Sequence, residues 1–422
     1  MTTALVREGH TEVCALNATT RLHETRDIGL FLTGSGLWFI CVGIQSIFLP
    51  WVLISVLHAS PFQFGVAQMC LMLPVLALVI YGGYLADRLP LRRLLTRLYL
   101  IAAMVALLFA AWCFQGSLSY PMVLMYSLLF GVLSAFCAPA REAWLNVLGQ
   151  RQLQKIVTIN IGIEFGIQVM GYALGGLVSW LGVSVMFLLL AALFLTASAS
   201  VAHISTTTLA KPQSDLLTET REAFRFSVKH PVIFPVLLLN GLIGVFFLGS
   251  YFVVMPLHLS QLPGYDASLL ATANIVFMVG LIVSIATLVL AGGVRNKQPT
   301  LIVSCVLASL VLAVMPWVFN RWLLLTLLAG WGFLGGIALS MGQTLIQENA
   351  PARNKAQVLA LLMLFFMGGN PVGSFLLGTL LEYWEATSVG VITATVMILA
   401  IAVISYTYKL WGSHYDHINA AT

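Results

Sequence analysis

Charge is what this sequence has least of. Only 8% of its 422 residues are Asp, Glu, Lys or Arg, against 60% apolar residues. Soluble domains carry about 25% charged and about 45–50% apolar residues. So little charge cannot cover a soluble fold of this length, which excludes a cytosolic enzyme, a nucleic-acid binder and a disordered scaffold. Catalytic motifs are missing as well. No HExxH, GxSxG or Walker A pattern occurs, so no hydrolase or ATPase machinery is visible. No zinc-ligand spacing appears, and neither metal nor cofactor is expected. The six cysteines (Cys14, Cys41, Cys70, Cys113, Cys137, Cys305) form no CxxC pair, and five lie in apolar runs as small packing residues. Residues 1–29 contain no apolar core of a cleavable signal, so the first span is expected to direct insertion.

What is present is apolar sequence in long runs. At about 20 residues per membrane helix there is room for about twelve spans. Apolar windows predict them near 30–57, 64–85, 94–115, 119–139, 155–181, 183–203, 233–258, 268–292, 299–318, 322–346, 355–381 and 387–410. This is an all-α integral membrane protein of twelve transmembrane helices. The basic residues test the count. Arg7, Arg21 and Arg26 fall in the N-terminal tail, Arg88, Arg92, Arg93 and Arg97 between spans 2 and 3, and Arg141, Arg151 and Lys155 between 4 and 5. Lys211, Arg221, Arg225 and Lys229 fall in the central loop, Arg295 and Lys297 between spans 8 and 9, Arg353 and Lys355 between 10 and 11, and Lys409 in the tail. Of twenty Lys and Arg, only Arg321 lies on the opposite side. The positive-inside rule then makes both termini and the central loop cytoplasmic.

The expected organisation is a tail over 1–29, a six-helix bundle over 30–203, a central loop over 204–230, a second bundle over 231–410 and a tail over 411–422. In the loop, Leu217, Phe224 and Val228 share a helical face among charged residues. This reads equally as an interfacial amphipathic helix or as a solvated linker. The halves echo each other at an offset near 200–206, with Arg141-Glu142 answering Gln347-Glu348 and Lys155 answering Lys355. Six spans per half give parallel pseudo-repeats around a central cavity, with a substrate site near the midplane.

Polar side chains inside spans mark that cavity, because polar groups in lipid face the bundle interior or water. Gln45, Gln68, Asn160, Glu164, Gln168, Asn240, Asn274, Gln343 and Asn370 are distributed over spans 1, 2, 5, 7, 8, 10 and 11, while spans 3, 6, 9 and 12 contribute none. Aromatic residues on the same stripes, Trp38, Phe247 and Tyr251, add to the candidate lining. The fifth span carries Asn160, Glu164 and Gln168 at i, i+4, i+8, with Gly171 and Gly175 continuing the face within about 80°. Gly171, Gly175 and Gly176 suit close helix packing. Glu164 is the only acid well inside a span, with no buried base visible beside it. Ionised, it costs at least about 2.5–3.5 kcal/mol at a helix centre, so it is the candidate proton-coupling residue; the alternative is a structural, hydrogen-bonded Glu. His258 reads as an interfacial histidine.

The segment Gly83-Tyr84-Leu85-Ala86-Asp87-Arg88-Leu89-Pro90-Leu91-Arg92-Arg93 resembles the G-x-L-a-D-R-x-G-R-R/K loop of the major facilitator superfamily. Ala138-Pro139-Ala140-Arg141-Glu142 and Phe224-Arg225-Phe226 are similar to segments of its drug and siderophore exporter branch, and Gly171 to Gly176 to the G-P-x-x-G-G motif of its antiporters. The resemblance implies that Gly83, Asp87, Arg88, Arg92 and Arg93 serve a cytoplasmic gate. The Arg that many proton antiporters of the family carry within span 4 has no counterpart in the 119–139 window. The expected function is a secondary transporter and not an enzyme. It would export a small amphipathic molecule (drug, siderophore or metabolite) across the bacterial inner membrane by proton antiport, as a monomer in the lipid bilayer. A proton-coupled importer, or a membrane sensor or assembly partner without transport, remains open.

Overall fold

The computed structural model describes residues 2–116, 118–148, 153–205, 216–351 and 354–408. Among these the fold is helical throughout. The first half comprises α1 (Thr2–Trp51, continued by a π-helical turn Val52–Val56), α2 (Pro61–Arg88), α3 (Leu91–Phe114), α4 (Tyr120–Leu148), α5 (Leu153–Gly175), the short α6 (Val178–Leu181) and α7 (Val183–Ala202). After α8 (Leu216–Lys229) the second half follows. Its first span joins α9 (Ile233–Leu242) to α10 (Met255–Leu259) through π-helical stretches at Ile243–Leu248 and Ser250–Val254. Then come α11 (Ala267–Leu290), α12 (Lys297–Val314), α13 (Arg321–Asn349), α14 (Lys355–Tyr383) and α15 (Ala386–Thr407). Eleven of these stretches are long and apolar enough to cross a bilayer among the described residues. The 23-residue α5, about 34 Å at 1.5 Å per residue, is the twelfth.

Local chemistry fixes the helix starts. The Ser60 side chain accepts from the Gln63 backbone while Gln63 Oε1 accepts from Ser60 N at 3.0 Å, a capping box ahead of Pro61. Asp266 Oδ1 accepts from Leu269 N at 2.8 Å, and Asn320 Oδ1 from Trp322 and Leu323. Each satisfies donors that the first turn leaves unpaired.

Within the first half α2 packs on α4, α3 on α7, and α1 on α5 and α7. In the second half α11 and α12 pack on α13, α12 on α15, and α14 on the π stretch at 243–248. Close approach depends on missing side chains. A Cβ built on Gly43 of α1 would fall 2.8 Å from the Gly171 Cα of α5. The halves meet through α2 against α14, α5 against α11, and α1 against α11.

One helix face shows how that meeting ends. A Cβ on Gly65 would lie 2.9 Å from the Gly378 Cα of α14, and one on Gly368 would lie 2.9 Å from the Leu76 side chain. Gly83, eighteen residues or five turns past Gly65, points the same way, yet a Cβ there would meet nothing within 4 Å. On α5, Gly176 abuts Ala271 of α11, whereas Gly162 has open space. The halves therefore touch at one end, here the distal end (residues 57–60, 176–182, 260–266), and spread toward the arginine-rich basic end (residues 88–92, 292–297). A central cavity opens between them toward the basic end.

One boundary differs from the sequence-based expectation. Helix α4 runs past Pro139 and Arg141 to Leu148, because the guanidinium finds aromatic faces inside the protein. The central loop contains a helix, α8, that buries Ala223 and Ser227 and leaves Phe224 and Val228 exposed on its outer face; the side chain of Leu217 lies outside the described residues. At the basic end Lys297 Nζ donates to Glu348 Oε1 at 2.8 Å, tying α12 to α13. Arg92 Nη1 donates to the Ile204 carbonyl at 2.9 Å, and Asp27 Oδ1 accepts from Ser205 N at 3.1 Å.

Candidate functional site

Helices α4 and α5 together present the charged part of the interior. The carboxylate of Glu164 on α5 is half-buried and interacts electrostatically with Arg141 and Glu142 of α4. Arg141 is itself half-buried. Its Cζ lies 5.2 Å from the Trp38 ring centre and 4.5 Å from that of Phe39, both on α1. Stacking on two ring faces compensates a cation held away from water. The sequence shows no base beside Glu164; the structure brings Arg141 within electrostatic reach of it, because α4 continues past the predicted end of its span at 139.

The polar face of α5 continues toward the distal end and crosses to the other half. Gln168 Nε2 donates to Tyr172 Oη at 3.1 Å. Tyr172 interacts electrostatically with Tyr251 of the π-helical stretch. Tyr251 Oη donates to Asn274 Oδ1 of α11, whose Nδ2 donates to the Leu270 carbonyl at 2.8 Å. Gln168 thus donates to Tyr172 within the first half, and Tyr251 to Asn274 within the second. Tyr172, Tyr251 and Asn274 are all buried. At the rim, Phe62 N donates to Glu382 Oε2 at 2.9 Å, so a carboxylate of the second half caps a helix of the first.

The other candidates divide. Asn240 packs on Gly342, next to half-buried Gln343, and returns its Nδ2 to the Val236 carbonyl at 2.9 Å. Phe247 packs on Trp331. Asn370 accepts from Ser374 Oγ at 3.0 Å within α14. Asn160 lies on α5, with its side chain outside the described residues. Trp38 and Gln45 do not line the space between the halves: both are buried, and Trp38 stacks on Tyr99 and Phe130 inside the first half. The α1 face that bears them looks inward because the Gly43 face is taken by α5. Gly171 and Gly175 pack on α1, and Gly176 on α11.

At the basic end, Arg88 rests over the Tyr84 ring at 4.1 Å and Arg92 anchors the end of α7. Asp87 is half-buried and Arg93 exposed. None of these contacts joins the two halves. Sequence reasoning missed Arg141 as a buried base, the Tyr172 crossing and buried Asp27. Tyr172 shares the 164, 168 spacing, which is the signal that pointed to it.

Residues 30–374 match the Major Facilitator Superfamily. No curated protein matches the chain. Solved structures do. The nucleoside transporter NupG aligns with a TM-score of 0.72 at 13% identity, over 92% of this chain and 99% of that one. A bacterial homologue of the human lysosomal transporter Spinster, inward-facing and unoccupied, aligns with 0.64 at 15% identity, over 92% and 96%. An auto-inhibited peptide transporter of the POT family aligns with 0.72 at 13% identity, over 91% and 96%. These likenesses show the fold.

Proposed function

The chain belongs to the major facilitator superfamily, a transporter and not an enzyme, and on that premise we propose that it exchanges protons for a small amphipathic organic molecule, exporting it from the bacterial cytoplasm. The observation that carries the reading is Glu164, the half-buried acid inside α5, within electrostatic reach of Arg141. Taking the basic end as cytoplasmic, this conformation is open inward and closed at its distal, outer end. In the cycle, Glu164 reaches the inner side protonated. Substrate enters the cavity, and the carboxyl proton passes to cytoplasmic water. Arg141 then holds the carboxylate until the halves rock and an outside proton replaces it. Gln343 and the apolar and aromatic walls suit a molecule that is part apolar and part neutral-polar. Asp87, Arg88, Arg92 and Arg93 would pair with helix ends of the second half when the basic end closes. The monomer in its lipid bilayer is the working unit.

A proton-coupled importer on the same fold is the second reading, favoured by the likeness to nucleoside and peptide transporters. Comparing the compounds retained by cells with and without the protein identifies the substrate. Proteoliposomes with an imposed pH gradient then decide direction: uptake driven by an inward proton gradient overturns export. Glu164→Gln is expected to abolish gradient-driven transport, about a hundredfold loss, while leaving substrate exchange in place. Undiminished driven transport removes Glu164 from the mechanism.

A further inference from the structure

Inside the first half, away from the central cavity, lies a set of polar groups that the transport cycle above does not use. Gln45 is 2% exposed and Tyr126 is 1% exposed, and neither amide atom of Gln45 nor the Tyr126 hydroxyl has a hydrogen-bond partner among the described residues. Native interiors rarely leave an amide and a phenol both unpaired. Further polar groups continue the series. Cys41, one turn before Gln45 on α1, interacts with Tyr126 and with Tyr99, and Tyr99 interacts with Cys137 and Arg141. Arg141 Nη1 is buried and unpartnered. At 1.5 Å per residue, Tyr126 lies about 9 Å inside the distal end of α4, and Tyr99 about 12 Å inside the basic end of α3. The series thus runs along the bilayer normal through the middle of the bundle.

We propose that this tract holds a cluster of bound water, seated on Gln45 and Tyr126 and reaching the buried edge of Arg141. The chemistry selects water. An amide and a phenol each both donate and accept, and together they supply the two to four polar partners that a buried water requires. Gln45 and Tyr126 are neutral, which disfavours an ion beside them. An apolar occupant would leave the same atoms unpaired. Phe109, Phe187 and Phe130 surround the Tyr126 ring at 5.1, 5.0 and 6.3 Å and wall the cluster from lipid. The consequence, which rests on the coupling role assigned to Glu164, is a hydrated approach to the Arg141–Glu164 pair that is separate from the substrate cavity.

The test needs neither substrate nor gradient, so its failure is distinct from failure of proton coupling. Radiolytic hydroxyl-radical labelling of the full chain in nanodiscs oxidises buried side chains that touch bound water. Cys41 is expected to oxidise about tenfold faster than Cys305, which is equally buried, and Tyr126 faster than Tyr251 although Tyr251 is the more exposed of the two. Gln45→Leu should slow Tyr126 labelling and lower the melting temperature, and Tyr126→Phe should slow Cys41 labelling if the leucine variant fails to fold. Wild-type Cys41 and Tyr126 labelling no faster than their controls overturns the proposal. So does a Gln45→Leu protein that melts higher, since removing an amide from a dry pocket stabilises.

Discussion

Tyr251→Phe should open the distal end. The substitution keeps the ring and its contacts with Phe252, Phe277 and Trp331, and removes one oxygen. That oxygen donates to Asn274 and interacts with Tyr172 across the halves. Without it, the Asn274 carbonyl oxygen is unpaired, and Asn274 is buried. An unsatisfied buried group costs about 1–3 kcal/mol, and only in the closed state, because separation of the halves exposes that carbonyl to water. At 1.4 kcal/mol per tenfold, the closed population falls relative to the open one by roughly five- to a hundredfold. Tyr172→Phe is milder. Gln168 is half-buried and finds water, while Tyr251 keeps its bond to Asn274. Only the electrostatic interaction of Tyr172 with Tyr251 is lost between the halves, so the shift is the smaller of the two. Spin labels at exposed Trp180 and Trp322, one in each half at the distal end, in a cysteine-free background, read the two populations by electron–electron double resonance. Distance distributions of Tyr251→Phe that overlay those of the unsubstituted chain would refute the reasoning, as would a larger shift for Tyr172→Phe.

Three further outcomes are expected. Gly65→Leu puts a side chain against the Gly378 backbone, so the same spin pair should report loss of distal closure. Gly171→Ala clashes with the Ile40 carbonyl and the Gly43 Cα within the first half; it should cost about 1–3 kcal/mol, lowering the melting temperature in detergent without moving the spin-label distances. His230, beyond the membrane spans, accepts from Val232 N and Ile233 N at 3.3 Å through Nδ1, and burial lowers its affinity for protons below that of an ordinary histidine. The neutral ring is the capping form. Its contribution, on the scale of a helix cap at about 1 kcal/mol or less, is complete above the ordinary histidine range and is lost as pH falls through the lowered value. Thermal melts from pH 8 to 5 should show that loss, and His230→Ala should flatten it.

How much of this was legible in the sequence depends on what each feature requires. The spans and the two-half arrangement needed only apolar run lengths, which lipid enforces directly. The face shared by Glu164, Gln168 and Gly171 followed from helical spacing. Spacing does not say which way a face looks, however. Trp38 and Gln45 share a stripe that turns into the first half, because the Gly43 side of α1 is occupied by α5. Arg141 was read as a loop residue since a proline and a charge end an apolar window; only the rings of Trp38 and Phe39, about a hundred residues earlier, keep it inside. The Phe62–Glu382 contact joins residues 320 apart, beyond any local pattern. In the α9–α10 span, the stripe through Asn240, Gly244 and Phe247 assumed a regular helix. The π winding that begins at Ile243 departs from that period, and Gly244 packs on α14 while Asn240 and Phe247 face α13.

Those π stretches make the halves mechanically unequal. The leading helix of the first half stays regular until its last turn, at Val52–Val56, whereas that of the second is wound loosely through its middle, from Ile243 to Val254. Widened turns interrupt the regular backbone ladder and concentrate where a helix has work to do. The first half is thus the stiff lever and the second the compliant one. In such a pair the slow step of rocking belongs to the compliant partner. Changes at Gly244 or Gly249, where the loose segment presses on α14, will alter how fast the molecule turns over more than which of its two ends it prefers to keep shut.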